Sequence, residues 1–509
     1  MADERATRAD ERATRADERA TGAHELITDR LLRSWLRCKR RAWLDRHADP
    51  SARTWSAHRA LTLQDQLRCF QQLLPDKPGH GEAAAHAAAP SLVGLRLRGQ
   101  GPAGLALEAH PALLERVDGP SIWGAHAYRP VLGRQGRNLT REHRLLLAFW
   151  GRLLAEHQQA PVPHALVVAL DAGVLQRERL ALGDSLQHQL GEALPRLAED
   201  LQRTSPPPLL ADRKKCVLCS WRALCDGEAA AVGHLGEVSG IGGKRREMLL
   251  EVGIETLPQL AATDPAWLAE ALAVHGEQHR EIAGQLVAQA LVQAAGAPER
   301  LEPFDRPLPE LLDAPGVLLY DIESDPDARD DFLHGFVVLP RNPDGGWPPQ
   351  PSPELSARWR YLPLLALQEH GERRLWRRLL ALLARYPDWP LLHYGETEAI
   401  ALLRLARRMG ASEAETEALR ARLLDVHARL RRAWRLPVNS YGLKAVASWV
   451  GFRWSQPGVD GARCLLWWRQ WRQWRRDGGQ AALRRIFIYN RDDNLATWAV
   501  TRWLLDRQS

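Results

Sequence analysis

Long apolar runs and cysteine are both scarce in this sequence, and each scarcity narrows the class of protein. No apolar stretch approaches the ~20 uninterrupted residues that a transmembrane helix needs, and the N-terminus lacks the basic-then-apolar order of a secretory signal. We therefore expect a cytoplasmic protein with no membrane partner. Cysteine occurs six times in 509 residues, and a reducing compartment argues against disulfides between those residues.

Lysine is also scarce, because only six of the 69 basic residues are Lys and the others are Arg. The 62 acidic residues leave a formal net charge of +7, with a pI of about 9.3. This mild surplus permits a polyanionic partner without demonstrating one. The planar guanidinium of Arg suits phosphate, but a biased genomic composition produces the same preference.

Composition and periodicity divide this α/β multidomain chain into four segments, in line with its length. Residues 2–21 repeat the unit ADERATR, which has no large apolar residue to bury, so we expect residues 1–23 to be a disordered tail. Short β-like runs flank a helical pattern over 24–230, which predicts an α/β domain. A small helical segment over 231–300 and a second α/β domain over 301–509 follow.

Four of the cysteines form a distinctive pattern. Cys216, Cys219 and Cys225 have the spacing C-x2-C-x5-C, and Cys38 lies far upstream in LRCKRRAWL. Clustered thiols in a reducing compartment indicate a metal. The one-plus-three distribution favours a [4Fe–4S] cluster over zinc, which more often uses two paired motifs. Zinc and unligated buried thiols stay open as alternatives.

This cysteine pattern resembles the RecB-like nucleases in which an iron–sulfur cluster ties the N-terminal helix to the end of the nuclease domain. The resemblance covers 24–230 and implies a restriction-endonuclease-type α/β fold. That family's catalytic residues are not matched, because Ala112 stands at the Asp position and YRPVLGR supplies neither the acid nor the Lys of an acid-x-Lys pair. No lysine occurs between Lys77 and Lys214. We expect a degenerate, catalytically inactive domain that serves as a binding platform.

A glycine-rich turn precedes a basic helix start in the run EVSGIGGKRREMLLEVGIETL. Glycine permits positive φ and leaves backbone N–H groups open to phosphate, and the helix start adds positive potential. The run resembles a helix–hairpin–helix element, which implies binding to nucleic acid without sequence specificity; a Gly-containing helical linker is the alternative. The predicted nucleic-acid contacts are Gly240, Gly242, Gly243, Lys244 and Arg245.

Two acidic motifs near the C-terminus indicate a divalent-metal site. In GVLLYDIESD the alternation of a strand points Asp321 and Glu323 to the same side. A bound divalent cation stabilises two such adjacent carboxylates. In IFIYNRDDNLATW, Tyr489 and Asp493 lie four residues apart on one helix face. A solvated acidic surface is the alternative for either motif alone.

Together these motifs resemble the ribonuclease H-like DEDD exonucleases of the Tyr-containing subtype. The resemblance implies an α/β exonuclease domain that removes nucleotides from a 3′ end, with two Mg²⁺ or Mn²⁺ ions held by four carboxylates and with Tyr489 positioning the attacking water. The second motif departs from the family pattern, since LLHYGETEAI places Glu398 where an Asp is expected; Glu396 is the fallback. Asp425 either supports the metal ligands from behind or is an ordinary helix residue, and we favour the latter. Asp492 is a less favoured ligand than its neighbour.

The stretch LLWWRQWRQWRR combines aromatic and basic residues. Such a mixture suits single-stranded nucleic acid, because aromatic rings stack on bases. The helical spacing of Trp467, Trp471 and Trp474 favours instead a stripe packed in the core. The intervening arginines are then expected on the outside: Arg469, Arg472 and Arg475.

The order of the segments resembles bacterial RecB-family nucleases with a fused exonuclease domain. The sequence therefore predicts a metal-dependent 3′→5′ exonuclease that acts on DNA or RNA, with the first two domains gripping the substrate. The alternative is a non-catalytic nucleic-acid-binding scaffold in which both nuclease cores have decayed. Cys69 and Cys464 lie apart from the other cysteines in the sequence. We expect both to be buried and to behave as hydrophobic side chains.

Overall fold

The structure is a computed structural model. The chain forms two compact units. One unit comprises Met1–Leu210 with Val217–Cys225, and the other Ala211–Cys216 with Asp226–Ser509. The predicted tail, Trp474 and Arg475 lie outside the described residues. The described residues are 26–507 except 135–137, 172, 302–305, 327–329, 353–358, 368–370 and 474–478.

The first unit is built on a mixed β-sheet. Its strands are β1 (Ile27–Thr28), β2 (Gly79–His80), β3 (Ser91–Val93), β4 (Leu97–Gln100), β5 (Ala106–Ala109), β6 (Leu114–Ser121), β7 (Gly124–Arg134), β8 (His164–Asp171) and β9 (Val174–Ala181). The main sheet has the order β2-β3-β6-β7-β8-β9, and β1, β5 and β4 form a smaller sheet. Strands β7 and β8 are parallel, in a register that pairs Val131 with Leu166.

Helices cover the sheet of the first unit. They are α1 (Asp29–Arg37), α2 (Lys39–His47), α3 (Ala57–Leu73), α4 (Gly81–His86), α5 (Arg141–Gln158) and α6 (Asp184–Gln202), and α7 (Arg222–Ala231) begins in this unit and ends in the other. Helix α5 supplies the crossover that the parallel pair β7–β8 requires. It begins after Thr140, whose hydroxyl accepts the backbone N–H of His143 in a capping box.

The second unit begins with a helical segment. Its helices are α8 (Gly243–Glu251), α9 (Leu257–Ala261), α10 (Pro265–Ala273) and α11 (Glu277–Ala295). Thr256 caps α9 and Asp264 caps α10, each by accepting backbone N–H groups of the first turn. Apolar residues of the connecting turns and helices share one small core, which includes Leu235, Val238, Ile241, Leu249, Leu268 and Leu286.

A second mixed sheet forms the centre of the C-terminal region. The strands of this part are β10 (Glu299–Arg300), β11 (Gly316–Asp325), β12 (Asp330–Pro340), β13 (Arg360–Leu365), β14 (Leu391–His393), β15 (Leu423–Asp425) and β16 (Trp434–Arg435). The sheet order is β13-β12-β11-β14-β15. Strands β11, β12 and β13 pair antiparallel, whereas β14 runs parallel to β11 and β15 parallel to β14.

Helices lie on both faces of this sheet. They are α12 (Glu372–Arg385), α13 (Glu396–Arg408), α14 (Glu413–Arg422), α15 (Val426–Ala433), α16 (Leu443–Trp449), α17 (Gly461–Gln473) and α18 (Gly479–Leu505). Strand alternation divides β11 between two cores. Leu318 and Tyr320 pack in the core shared with α12 and α13, whereas Val317 and Leu319 pack in the core shared with α18. The second of these faces carries the acidic residues described below.

The helical segment joins the C-terminal sheet region through polar contacts. Strand β10 pairs antiparallel with β16, and Leu301 N–H donates to Ala433 O over 2.8 Å. On α11, Gln289 Nε2 donates to Leu436 O over 2.9 Å, and its Oε1 accepts the Tyr441 hydroxyl at 3.3 Å. Among the described residues no helix is long and apolar enough to span a membrane.

Candidate metal centre

Strand β11 and helix α18 bring three acidic side chains together. The strand carries Asp321 and Glu323 on the face that α18 covers, two and four residues beyond the buried Leu319. Asp493 lies on α18. One carboxylate oxygen of each acid lies within 4.8 Å of the others, an arrangement that could hold a metal ion. The three acids come from two distant parts of the sequence, and the fold alone makes them neighbours.

The electrostatics of this cluster are unfavourable without a cation. Burial raises the pKa of Asp321 well above its usual range, and the charges of Asp493 and Glu323 raise it further. Burial likewise raises the pKa of Asp493 to about 6. Neighbouring carboxylates in a desolvated site share protons unless a positive charge is supplied, so a divalent cation would stabilise their ionised forms.

Tyr489 lies beside the cluster, as its four-residue spacing from Asp493 predicts. Its side chain is buried and hydrogen-bonds the Asp493 carboxylate. The Lys444 ammonium lies 5.1 Å from the centre of the Tyr489 ring and donates to Val459 O. The positive charge of Lys444 lowers the pKa values of Glu323 and Asp493. Lys444 therefore favours the ionised forms of these two acids.

The loop that precedes α17 donates hydrogen bonds to two adjacent acids of α18, Asp492 and Asp493. The indole Nε1 of Trp454 donates to Asp493 Oδ1 over 2.7 Å. Ser455 donates to Asp492 Oδ2 from its backbone N–H over 2.8 Å and from its hydroxyl over 2.6 Å. Asp492 therefore fastens the loop and is absent from the three-acid cluster found among the described residues.

Glu398 lies near the cluster, in the helix that follows β14, the strand that runs parallel to β11. It lies in the first turn of α13, after the Gly395 cap, whose φ of +104° suits glycine. Burial raises the pKa of Glu398 to about 7, and the nearby carboxylates Asp425 and Asp493 raise it further. Its Oε2 atom is buried and has no hydrogen-bond partner among the residues that the structure describes. The fallback residue Glu396 is exposed.

Asp425 has a more specific place than the sequence indicates. It ends β15, and its Oδ1 accepts the Gly395 N–H at 2.9 Å and the Ala428 N–H at 3.1 Å. The first bond ties together the ends of β14 and β15 at the turn that leads to Glu398. The expectation of an ordinary helix residue was wrong, because Asp425 both caps α15 and holds this turn.

Asn490 is the main residue of the site that the sequence analysis missed. It is fully buried, and its Nδ2 donates to Asp321 Oδ2 over 2.6 Å. The Tyr361 hydroxyl donates to Asn490 Oδ1 over 2.8 Å. Asn490 stands within the Tyr489–Asp493 motif, and this position was the available indication of its role.

Cys464 is buried, as expected for a hydrophobe, but its thiol is also part of the polar site. It hydrogen-bonds Glu323, and burial together with the charge of Glu323 raises the pKa of the thiol well above its usual range. A protonated thiol can donate to a carboxylate. The thiol therefore adds a donor on the side of Glu323.

The tryptophans of α17 lie in the core as predicted, but one arginine does not lie outside. Trp467, Trp468 and Trp471 are buried. Arg469 is buried as well, and its guanidinium donates to both carboxylate oxygens of Asp325 over 3.1 and 2.9 Å. The prediction for Arg469 was wrong because the buried end of β11 presents a carboxylate that needs a cation.

The glycine-rich turn of the helical segment leads directly into a helix. Gly240 has a φ of +92°, and Gly242 caps α8, which begins at Gly243. Lys244 is exposed, and Arg245 Nη1 donates to Gly240 O over 2.6 Å. The turn therefore presents exposed positive charge at a helix start.

The neighbourhood of this turn is positively charged. His279 on α11 has a lowered pKa, first because of burial and then because of the charges of Lys244 and Arg245. The turn is also fastened to α11, since Gln293 Oε1 accepts the Ser239 N–H at 3.0 Å. A fixed, cationic turn is suited to phosphate.

Three of the four predicted cluster cysteines lie in the first unit and near one another. Burial raises the pKa of the Cys38 thiol, and the thiols of Cys219 and Cys225 raise it further. Trp221, between the last two, donates its indole N–H to Asp45 Oδ1 on α2 over 2.9 Å. The segment after α6 is thereby tied to the N-terminal helices. Cys216 is buried and belongs to the second unit.

A comparison with protein families places the candidate centre in a known class of domain. A family model described as RNase_H superfamily matches residues 318–505, which include the three clustered acids as well as Glu398 and Tyr489. The chain therefore has a C-terminal RNase H-like domain. Such a domain suggests a metal-dependent nuclease and a nucleic-acid substrate in general terms. No curated protein matches the sequence.

Proposed function

We propose that the protein is a 3′→5′ exonuclease that hydrolyses phosphodiester bonds of DNA or RNA with two Mg²⁺ or Mn²⁺ ions. The observation that carries the proposal is the cluster of Asp321, Glu323 and Asp493 within an RNase H-like domain. The spacing of Tyr489 and Asp493, together with the hydrogen bond between them, favours the Tyr-containing exonuclease subtype.

The residues present fit divalent metal. Carboxylate oxygens are the hard ligands that Mg²⁺ and Mn²⁺ prefer, and Asp321, Glu323 and Asp493 supply them. Glu398 adds a buried carboxylate oxygen that lacks a hydrogen-bond partner among the described residues. Bound ions would polarise the phosphate, lower the pKa of a water and neutralise charge on the leaving oxygen.

The protein groups around the acids have distinct tasks in this proposal. The Tyr489 hydroxyl is hydrogen-bonded to Asp493 and would orient the attacking water. The burial of Tyr489 raises the pKa of its phenol well above the usual range, so it stays protonated and acts as a hydrogen-bonding group. Lys444 supplies positive charge near Glu323 and Asp493, which favours their ionised forms.

The other regions would bind substrate and stabilise the fold. The Gly240–Arg245 turn has exposed positive charge at a helix start, and we propose that it contacts the phosphate backbone as a helix–hairpin–helix element. The proximity of Cys38, Cys219 and Cys225 supports a [4Fe–4S] cluster at these thiols, in a RecB-like domain that has lost catalysis. Zinc is the alternative metal for these thiols.

A second candidate function is a non-catalytic nucleic-acid-binding scaffold. Glu398 favours it, because a Glu replaces the expected Asp and lies outside the group of three acids found among the described residues. A side chain one methylene longer places its oxygen differently, and metal catalysis tolerates little error in position.

One degradation assay separates the two functions. Single-stranded DNA and RNA, each labelled at the 5′ or the 3′ end, are incubated with the full-length protein and Mn²⁺ or a chelator. The exonuclease is expected to shorten 5′-labelled strands progressively and to release labelled mononucleotide from 3′-labelled strands, with Mn²⁺ only. The variant Asp321→Ala should lose this activity.

The matched control is Asp344→Asn, which changes an exposed acid of a turn in the same domain and keeps an acceptor for Gly346 N–H. It should retain full activity. Tight strand binding without shortening in Mn²⁺ or Mg²⁺ would instead establish the scaffold. For the cysteines, a brown protein with a broad visible absorbance supports the iron–sulfur cluster, and stoichiometric zinc without iron rejects it.

A further inference from the structure

Asn490 contacts both acids of the first motif. Its Nδ2 group has two N–H donors; it donates to Asp321 Oδ2 over 2.6 Å and its side chain also hydrogen-bonds Glu323. The amide is neutral and fully buried. It therefore stabilises two ionised carboxylates without placing a charge that would oppose a metal cation.

The orientation of this amide is set from its other end. The Tyr361 hydroxyl on β13 donates to Asn490 Oδ1 over 2.8 Å. A flipped amide would turn its oxygen toward the Asp321 carboxylate, where two acceptors would meet. The phenol hydroxyl and the Asp321 carboxylate thus require the same orientation of the Asn490 amide.

The Asn490 amide occupies space that is free because residue 335 is a glycine. Gly335 on β12 is the direct cross-strand partner of Asp321, and a Cβ at Gly335 would overlap Asn490 Oδ1. One turn later on α18, Asn494 Nδ2 donates to Asn490 O over 3.0 Å. Strand β12 and helix α18 can approach this closely only because residue 335 lacks a side chain.

We infer that Asn490, oriented by Tyr361 and admitted by Gly335, is the positioning residue that keeps Asp321 and Glu323 side by side for metal. The inference rests on the proposed function in that it concerns the same site. A donor that orients a metal ligand acts on metal affinity. Asn490 acts through Asp321 and Glu323, so loss of its donors should weaken ion binding first.

The test measures Mn²⁺ binding directly, by calorimetry on the full-length protein, for Tyr361→Phe and Asn490→Leu. Loss of partners around metal ligands typically weakens affinity by about 10–100-fold, and we expect Asn490→Leu to fall in that range and Tyr361→Phe near its lower end. The nuclease rate of Tyr361→Phe should recover at saturating Mn²⁺, since every metal ligand is intact. A purely structural role would not produce such recovery.

The matched control is Tyr320→Phe. It removes a buried hydroxyl from the residue next to Asp321, on the opposite face of β11, where the hydroxyl contacts His334 Nδ1 at 2.8 Å. Its Mn²⁺ affinity should equal that of the wild type. Thermal melting of each variant identifies one that fails to fold, and Tyr361→Phe, which loses a single oxygen atom, keeps the test decisive if Asn490→Leu does.

Wild-type Mn²⁺ affinity in Tyr361→Phe, or in a folded Asn490→Leu protein, would overturn the inference. A wild-type protein that binds no Mn²⁺ would overturn it together with the proposed function. If the wild type binds Mn²⁺ but cleaves neither DNA nor RNA, the proposed function fails, whereas the affinities of the variants still decide the role of Asn490.

Discussion

Trp454 donates its indole N–H to Asp493 Oδ1 over 2.7 Å, so a loop outside α18 holds the acid that completes the three-carboxylate cluster. This hydrogen bond lowers the pKa of Asp493 against the effect of burial. The candidate metal centre consequently depends on the position of a segment that contributes no carboxylate to the three-acid cluster.

Replacement of Trp454 by Phe should weaken the metal centre. The variant keeps an aromatic ring but loses the donor, so the ionised form of Asp493 is less stable. We expect the Mn²⁺ concentration for half-maximal nuclease rate to rise by about 10-fold or more. Trp376→Phe, on α12 at the other face of the sheet, is the control and should leave the Mn²⁺ dependence unchanged.

The stability that the buried acids give the metal-free protein should decrease as pH rises from about 4 to about 7. The folded-state pKa values of Asp493 and Glu398 are raised to about 6 and about 7, so these two acids hold more protons in the folded state than in the unfolded state in this window. Stability from the protonated groups is present at low pH and is lost as these acids ionise. Ionisation of these acids should therefore lower the melting temperature measured with chelator across this range.

Two changes should reduce that fall in melting temperature. Glu398→Gln removes one of the buried ionisations, and added Mn²⁺ favours the ionised cluster. The same Glu398→Gln variant should lose nuclease activity while its metal-free form melts higher at pH 7, the usual opposition between stability and a charged active site. A pH dependence in chelator that is the same for Glu398→Gln and the wild type would contradict the burial of the Glu398 charge.

Arg469→Met should destabilise the C-terminal region strongly. Arg469 and Asp325 are both buried and form a two-point ion pair, and removal of one partner from such a pair typically costs about 3–5 kcal/mol. Chemical denaturation measures the loss. The double variant Arg469→Met with Asp325→Leu should recover part of it, and Arg484→Met, an exposed arginine on α18, should change stability little.

Lys244→Ala should weaken nucleic-acid binding equally for all sequences. An exposed cation at a helix start contacts phosphate and not bases, and its loss should reduce the slope of log K against log salt by about 1. Fluorescence anisotropy with strands of several sequences at a series of salt concentrations measures this slope. An unchanged slope would exclude Lys244 from the contact, and Lys77→Ala in the first unit is the matched control.

The sequence predicted much of the C-terminal domain. The α/β class and an RNase H-like domain are confirmed, because the alternation of β11 and the four-residue step on α18 are local patterns. Periodicity within one element shows which side chains share a face. The roles of the individual site residues, the exonuclease direction, the RecB-like and helix–hairpin–helix identities and the iron–sulfur cluster stay predictions.

The features that were missed depend on contacts between distant elements. Tyr361 and Gly335 reach Asn490 through the register of β12 and β13, which no local pattern specifies. Arg469 on α17 is buried because it pairs with Asp325, which is buried at the end of β11. Asp425 reaches Gly395 only because β14 and β15 are parallel neighbours.

The short ladder between Glu299–Arg300 and Trp434–Arg435 has a consequence for how this half of the protein unfolds. The ladder and the Gln289 side chain, which bonds both Leu436 O and Tyr441, join the helical segment to the middle of the RNase H-like domain and not to its end. A fragment cut at residue 318, where the family match begins, would leave these backbone and hydroxyl groups without partners. Helices and sheet should therefore behave as one cooperative folding unit that melts in a single transition.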